Sequence, residues 1–238
     1  MHLAPRPFGS AILDVDGVLL ASPHERAWRE ALTGLAEPAR FTTAMYQAKV
    51  AGRPRLSGAI AALEALGVTD AVRLAPAYAA AKQARLEALV GLGAVQAFPD
   101  ALRFVCRLRS RGLRLAVASS SKNANAMMRA IPMAGGPRLI DMFQANVCGL
   151  ALTRGKPDPE IFLRAASALG APPASCVVVE DAPAGIEAAR AGGMTALGVA
   201  RLDDAAGLVA AGANLVVASL DEVSIDTFAA GRLSLIAA

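Results

Sequence analysis

Apolar residues fall into two kinds of pattern along this chain. Short unbroken runs at 11–13, 115–118 and 177–179, each bounded by polar or turn residues, predict buried strands of a parallel sheet. After the first run the pattern becomes helical, predicting helices over 25–35, 41–51, 57–66 and 70–90, punctuated by Gly34, Gly52, Gly67 and Gly91. From residue 94 onward strands and helices alternate. Helix 99–110, strand 113–119, a helix from Asn123 and a weaker strand at 144–148 come first. Helix 158–169, strand 176–180, helix 183–191 and strands near 195–199 and 214–217 follow. Such alternation predicts an α/β fold with a parallel sheet covered by helices on both faces. The all-helical stretch is then an insertion after the first strand. It makes a cap of residues 23–94 on a core of residues 1–22 and 95–238, joined by two crossings that form a hinge.

Polar residues follow three of the apolar runs: Asp14-Val15-Asp16-Gly17, Ser119-Ser120-Ser121-Lys122-Asn123 and Glu180-Asp181. Open α/β sheets bind ligands at the C-terminal ends of their strands, so these residues are expected along one edge beneath the cap. Gly155-Lys156-Pro157 completes the set. Carboxylates, a hydroxyl and a lysine gathered there suit a magnesium site for moving a phosphoryl group. Asp14 is the candidate nucleophile, forming an aspartyl phosphate that splits one hard displacement into two easier ones. Asp16, two residues on and pointing the same way along an extended backbone, is the candidate general acid and base. Ser119 would donate to a transferring oxygen, and Lys156 would neutralise the nucleophile and the phosphoryl group. Magnesium is expected on Glu180 and Asp181 together with Asp14 and Asp16, keeping waters and one phosphate oxygen among its ligands.

Composition narrows the class. The 238 residues are 55% hydrophobic, enough for one large core and a small second unit. No apolar run approaches the roughly 20 residues needed to span a bilayer. Residues 1–10 lack the apolar stretch of a secretory signal, so a cytoplasmic protein without membrane partners is expected. Three well-separated cysteines, two of them in apolar runs, are expected as buried thiols. The net charge of +4 comes from scattered arginines and only 4% of residues are aromatic, which argues against nucleic-acid binding. Of 24 basic residues only Lys49, Lys82, Lys122 and Lys156 are lysines, and a compact point charge suits a phosphoryl oxygen in a tight site. A monomer or weak homodimer is expected, since the Ala-rich cap helices can pack on one another or on a partner.

In this order these residues resemble the haloacid dehalogenase superfamily, in the subclass with an α-helical cap after the first motif. The resemblance covers nearly the whole chain and implies a Rossmann-like core with magnesium-dependent chemistry through an aspartyl phosphate. Dehalogenation is not implied, because the dehalogenases lack the second carboxylate that Asp16 supplies. Within the superfamily the chain is similar to the β-phosphoglucomutases and to related sugar-phosphate phosphatases. By that likeness Ser121, Lys122 and Asn123 grip the phosphate not being transferred, and Arg55 of Gly52-Arg53-Pro54-Arg55 binds the same distal phosphate. Lys82 lies over the sugar, and His24 poises the general acid. A mutase needs this second phosphate site, whereas a simple phosphatase needs one. The stretch from Ser22 to His24 is about two residues shorter than in the mutases. A looser hinge would admit water, which makes a sugar- or polyol-phosphate phosphatase the alternative. A non-catalytic phosphometabolite sensor is the remote third reading, disfavoured by the intact Asp14, Asp16, Lys156 and Asp181.

Overall fold

The structure, a computed structural model, describes residues 7–201 and 204–237; residues 1–6 of the N-terminal segment lie outside the described residues. Six parallel strands form the central sheet: β1 (Ser10–Leu13), β4 (Arg114–Val117), β5 (Ala145–Asn146), β6 (Cys176–Glu180), β7 (Thr195–Val199) and β8 (Leu215–Val217). Their order is β5-β4-β1-β6-β7-β8. From β1 the chain builds outward through β4 and β5, then returns to β6 on the other side of β1 and continues outward. The winding reverses between β1 and β6, the position where open sheets carry their crevice.

The central strands are buried on both faces, and alternating side chains feed two separate cores. Leu13, Val117 and Val179 face helices α5 (Pro99–Ser110) and α6 (Ala124–Ala130), with Phe104, Leu108 and Met127 packed against them. Ile12, Ala116 and Val178 face the opposite way, toward α7 (Glu160–Ala168), α8 (Pro183–Ala191) and α9 (Ala205–Ala210). Four helices, α1 (His24–Glu30), α2 (Thr43–Lys49), α3 (Arg55–Ala65) and α4 (Ala71–Gly91), follow β1 and pack around a core of their own. That core is built on Trp28, Phe41, Leu63 and Tyr78, and the Tyr78 hydroxyl donates to the Trp28 carbonyl at 2.8 Å.

Two departures from the predicted elements bear on the site. The crossings are not simple linkers: β2 (Leu20–Ala21) and β3 (Gln96–Ala97) pair antiparallel into a small ribbon. Two residues per strand leave no apolar run to read in the sequence. The first cap helix ends at Glu30 rather than continuing to 35, and Gly34 at φ +84° takes the chain into a left-handed turn beyond it. The strand predicted at 144–148 shrinks to Ala145–Asn146, and α9 has no counterpart among the predicted helices. Cys148 and Cys176 are buried thiols, but Cys106 is exposed because it falls on the outer face of α5. Among the described residues no helix is long and apolar enough to cross a membrane.

Candidate active site

Strand register places the chemistry. Leu13 pairs with Val117 on one side and Val179 on the other, so Asp14, Ala118 and Glu180 leave the sheet at one level. Asp14 continues the ladder by donating its N–H to the Val179 carbonyl at 3.1 Å. Beside it Ser119 is buried, and its Oγ accepts the Ser121 N–H at 3.1 Å. The Ser119 hydroxyl also acts on the Asp16 carboxylate, favouring its charged form against the larger effect of burial.

Lys156 enters from the loop before α7, and its Nζ meets Asp14 Oδ1 at 2.5 Å and also donates to Glu180 Oε1. The ammonium lies 5.1 Å from the centre of the Phe162 ring, which adds a cation–π contact. Burial alone would lower the Lys156 pKa; the Asp14 and Glu180 charges outweigh it and raise the group above its ordinary value. Lys156 is therefore a fixed cation between two buried carboxylates. The second oxygen of Glu180 accepts the N–H groups of Asp181 at 3.0 Å and Ala182 at 3.2 Å. Gly185 makes room for this carboxylate, since a Cβ there would stand 2.0 Å from Glu180 Cδ.

The four acids expected to share one metal are thus divided. Glu180 is turned to Lys156 and the backbone, Asp16 is turned to His24, and among the described residues no three such side chains converge as an enclosing metal site. Asp14 and Asp181 remain. Asp181 lies against Gly17, where an added Cβ would come within 1.8 Å of its Oδ2. Burial, and then the charges of Glu180, Asp14 and Asp16, raise its pKa well above the carboxylate range. That surplus of negative charge on hard oxygens fits a divalent cation that takes one or two carboxylates and completes its shell with substrate and water.

Asp16 is the hinge-side acid. One oxygen, Oδ1, is buried without a hydrogen-bond partner; the other lies 3.4 Å from His24 Nε2. Desolvation raises its pKa, which favours the protonated form an acid needs. His24 is depressed by burial and by the positive charges of Lys82 and Arg55, so its ring is neutral. Its Nδ1 stands 2.6 Å from Lys82 Nζ, and Lys82 as an ammonium can only donate. The ring proton then sits on Nε2, aimed at Asp16 and at Ser121 Oγ, which is 3.3 Å away. Burial pushes Lys82 down to about 7, against the opposing pull of Asp16, and its ammonium lies 5.0 Å from the centre of the Trp28 ring.

These groups line one cavity of about 1110 Å³ between the helical segment and the sheet edge. Asp14, Asp16, Asp181 and Lys156 form its floor; Arg55, Lys82, Ser121 and Lys122 stand on its walls. Three of the four lysines of the chain are therefore in the cavity. Asn123 is drawn elsewhere: its side chain pairs with Gln83 of α4, accepting at 3.1 Å and donating at 3.3 Å. In this structure the Asn123 side chain bridges α4 and the loop after β4.

A second bridge lies across the cavity. The Gly52-Arg53-Pro54 turn rests on the core, and a Cβ on Gly155 would stand 2.1 Å from Pro54 Cγ. Because a proline ring cannot swing aside, Gly155→Ala is expected to hold the cap off its seat. Turnover should fall about tenfold to a hundredfold, the effect of roughly an ångström of misplacement. Steady-state kinetics beside a thermal melt would check this; an unchanged rate would mean that the turn moves freely. Sequence reading passed over Gln83, the cap residues Tyr46 and Gln47, and Arg201, which also line this cavity. Arg201 had a signal, since it is the polar residue that follows the apolar strand β7. The others lie on helices whose inner faces cannot be told from their outer ones by residue type.

Comparison with known proteins gives the family. The family described as haloacid dehalogenase-like hydrolase matches residues 10–193. A β-phosphoglucomutase of Bacillus subtilis is 38% identical over 128 residues, which are 54% of this chain and about half (52%) of that relative. A phosphorylated carbohydrates phosphatase of Thermotoga maritima is 30% identical over 87% of this chain and 93% of its own length. The crystal structure of an archaeal β-phosphoglucomutase from a hyperthermophilic Pyrococcus superposes with a TM-score of 0.71 at 30% identity, covering 92% of this chain and 96% of that one. With the match running from β1 through α8, this chain belongs to the haloacid dehalogenase-like hydrolases.

Proposed function

We propose that this enzyme transfers a phosphoryl group within a small sugar phosphate, in the manner of a β-phosphoglucomutase, converting β-glucose 1-phosphate to glucose 6-phosphate. The observation that carries the reading is the distribution of charge in the cavity. The floor joins a nucleophile to a buried ammonium, and the walls bring Arg55 and Lys122 beside Ser121 as a second set of phosphate donors. One phosphate can be transferred while the other is held.

In the forward cycle the phosphorylated Asp14 is attacked by the sugar 6-hydroxyl. The bond from phosphorus to Asp14 breaks, and the hydroxyl proton passes to Asp16 Oδ1, the oxygen without another partner. The resulting bisphosphate turns over. Asp14 then attacks the phosphorus at the 1-position, and Asp16 returns its proton to the departing sugar oxygen, leaving glucose 6-phosphate. Throughout, His24 holds Asp16 in place, Lys156 steadies Asp14 and the phosphoryl oxygens, and Ser119 donates to one of those oxygens. Magnesium held by Asp14 and Asp181 would neutralise the transferring phosphoryl group. Cap residues 23–94 and core residues 1–22 and 95–238 are taken as the two moving parts, with Lys82 above the sugar.

A sugar- or polyol-phosphate phosphatase is the second reading, supported by the Thermotoga relative and by Asn123, whose amide is engaged by Gln83 rather than left for a distal phosphate. Phosphorus NMR of the protein with magnesium, β-glucose 1-phosphate and a trace of glucose 1,6-bisphosphate separates the two. Glucose 6-phosphate with little inorganic phosphate is the expected result. Inorganic phosphate as the main product would replace the mutase with the phosphatase, and no product would reject this sugar.

A further inference from the structure

The first residue with a polar side chain after β7, Arg201, makes a set of contacts that the chemistry above does not use. Its guanidinium donates from Nη1 to Asp100 Oδ2 at 2.7 Å, from Nη2 to the Val18 carbonyl at 3.2 Å and from Nε to the Gly17 carbonyl at 3.3 Å. The same plane stacks on the Phe98 ring, with Cζ 4.1 Å from the ring centre. Gly17 and Val18 belong to the outgoing crossing, immediately after Asp16. Phe98 and Asp100 belong to the return crossing and the start of α5. The two crossings also touch each other, since the Phe98 N–H donates to the Leu19 carbonyl at 3.0 Å beside the ribbon of β2 and β3.

Asp100 is itself anchored on the core side. Its Oδ2 also accepts the Leu220 N–H at 2.8 Å and the Ser219 hydroxyl at 3.1 Å. Its side chain is 9% exposed and that of Arg201 13%, so the pair is sheltered from solvent screening. The planar fork can satisfy a carboxylate, two carbonyls and an aromatic face at once, which a lysine cannot.

We infer that Arg201 is a positioning residue that pins both crossings to the core at one point, so that the cap pivots outside this point while the Asp16–Gly17 turn stays fixed against Asp181. A lid hinged on two independent linkers would drag the acid with it each time it opened. A shared anchor behind the ribbon confines the motion to residues beyond it, Ala21 to His24 and Ala94 to Gln96. The inference deepens the function proposed above, because it assigns what keeps the general acid in register during cap movement.

Hydrogen exchange read by mass spectrometry on the full chain tests it without any substrate. In Arg201→Ala the amides of Gly17, Leu20 and Phe98, which are hydrogen-bonded in the crossings, are expected to exchange at least about tenfold faster, with β6 unchanged. Arg201→Lys, which retains the charge but not the fork, is expected to speed the same amides and supplies the test if the alanine variant fails to fold. Ser219→Ala removes one support of Asp100 away from the crossings and is expected to leave them protected. Unchanged crossings in both arginine variants, or an equal rise throughout the sheet, would overturn the inference. A kinetic arm uses whichever sugar phosphate is turned over: kcat is expected to fall about tenfold with KM within about twofold. A rise in KM alone would make Arg201 a substrate ligand instead. Because exchange is independent of substrate, failure of the anchor and failure of the assigned reaction are distinguishable.

Discussion

Asp14→Asn is expected to lower turnover by about 10⁴-fold or more while leaving the protein folded. The amide cannot form the acyl phosphate on which both half-reactions depend. It can still accept a hydrogen bond from Lys156, which keeps its ion pair with Glu180. Removal of one negative charge from a cluster that also holds Asp16, Glu180 and Asp181 should leave thermal stability unchanged or raised. Intact mass after exposure to glucose 1,6-bisphosphate reads the nucleophile directly, with a phosphoryl group on the parent and none on the variant. Full activity, or phosphoryl transfer to the variant, would move the nucleophile away from Asp14.

Lys156→Met is expected to be costly to both activity and stability. The side chain of Lys156 is 1% exposed and those of its partners Asp14 and Glu180 8% and 1%, so its loss leaves two buried carboxylates facing one another. Breaking a buried pair in this way costs about 3–5 kcal/mol. The dependence on pH gives a second check. In the parent, the Lys156 pKa is raised on folding, so its contribution is fully present below about 10.4, the unfolded lysine value, and is lost as pH rises through the folded one. In the variant the stranded carboxylates bind protons more readily when folded than when unfolded, so the folded state gains as pH falls. Urea unfolding in metal-free buffer should therefore show a deficit that narrows from pH 8 toward about pH 5. A deficit that is constant with pH would mean that the lysine matters for packing on Phe162 rather than for charge.

Much of this site was legible because strand-end chemistry leaves a local mark. Asp14, Ser119 and Asp181 each stand just beyond an apolar run, and the parallel register of β4, β1 and β6 puts Ser119 and Asp181 one residue past the level of Asp14. What the residues could not show is direction. Glu180 and Asp181 are adjacent acids at one strand end, yet the pleat and the opening of α8 turn one toward Lys156 and leave the other against Gly17. His24 and Lys82 were placed only through family likeness, because 58 positions separate two groups that meet at 2.6 Å. Asn123 meeting Gln83 across 40 positions left no trace in composition or spacing. The ribbon of β2 and β3 was hidden for another reason: two paired residues are held by tertiary context rather than by any propensity of their own.

The scarcity of lysine in this arginine-rich chain has a practical side. Guanidinium groups are poor nucleophiles, so the side-chain amines number four, and three of them line a single cavity. Those three differ in kind: Lys122 is exposed, Lys156 is held as an ammonium between Asp14 and Glu180, and burial lowers the Lys82 pKa to about 7. An amine-directed reagent therefore meets few targets on this protein, and the amine whose pKa burial depresses lines the cavity beside the Trp28 ring.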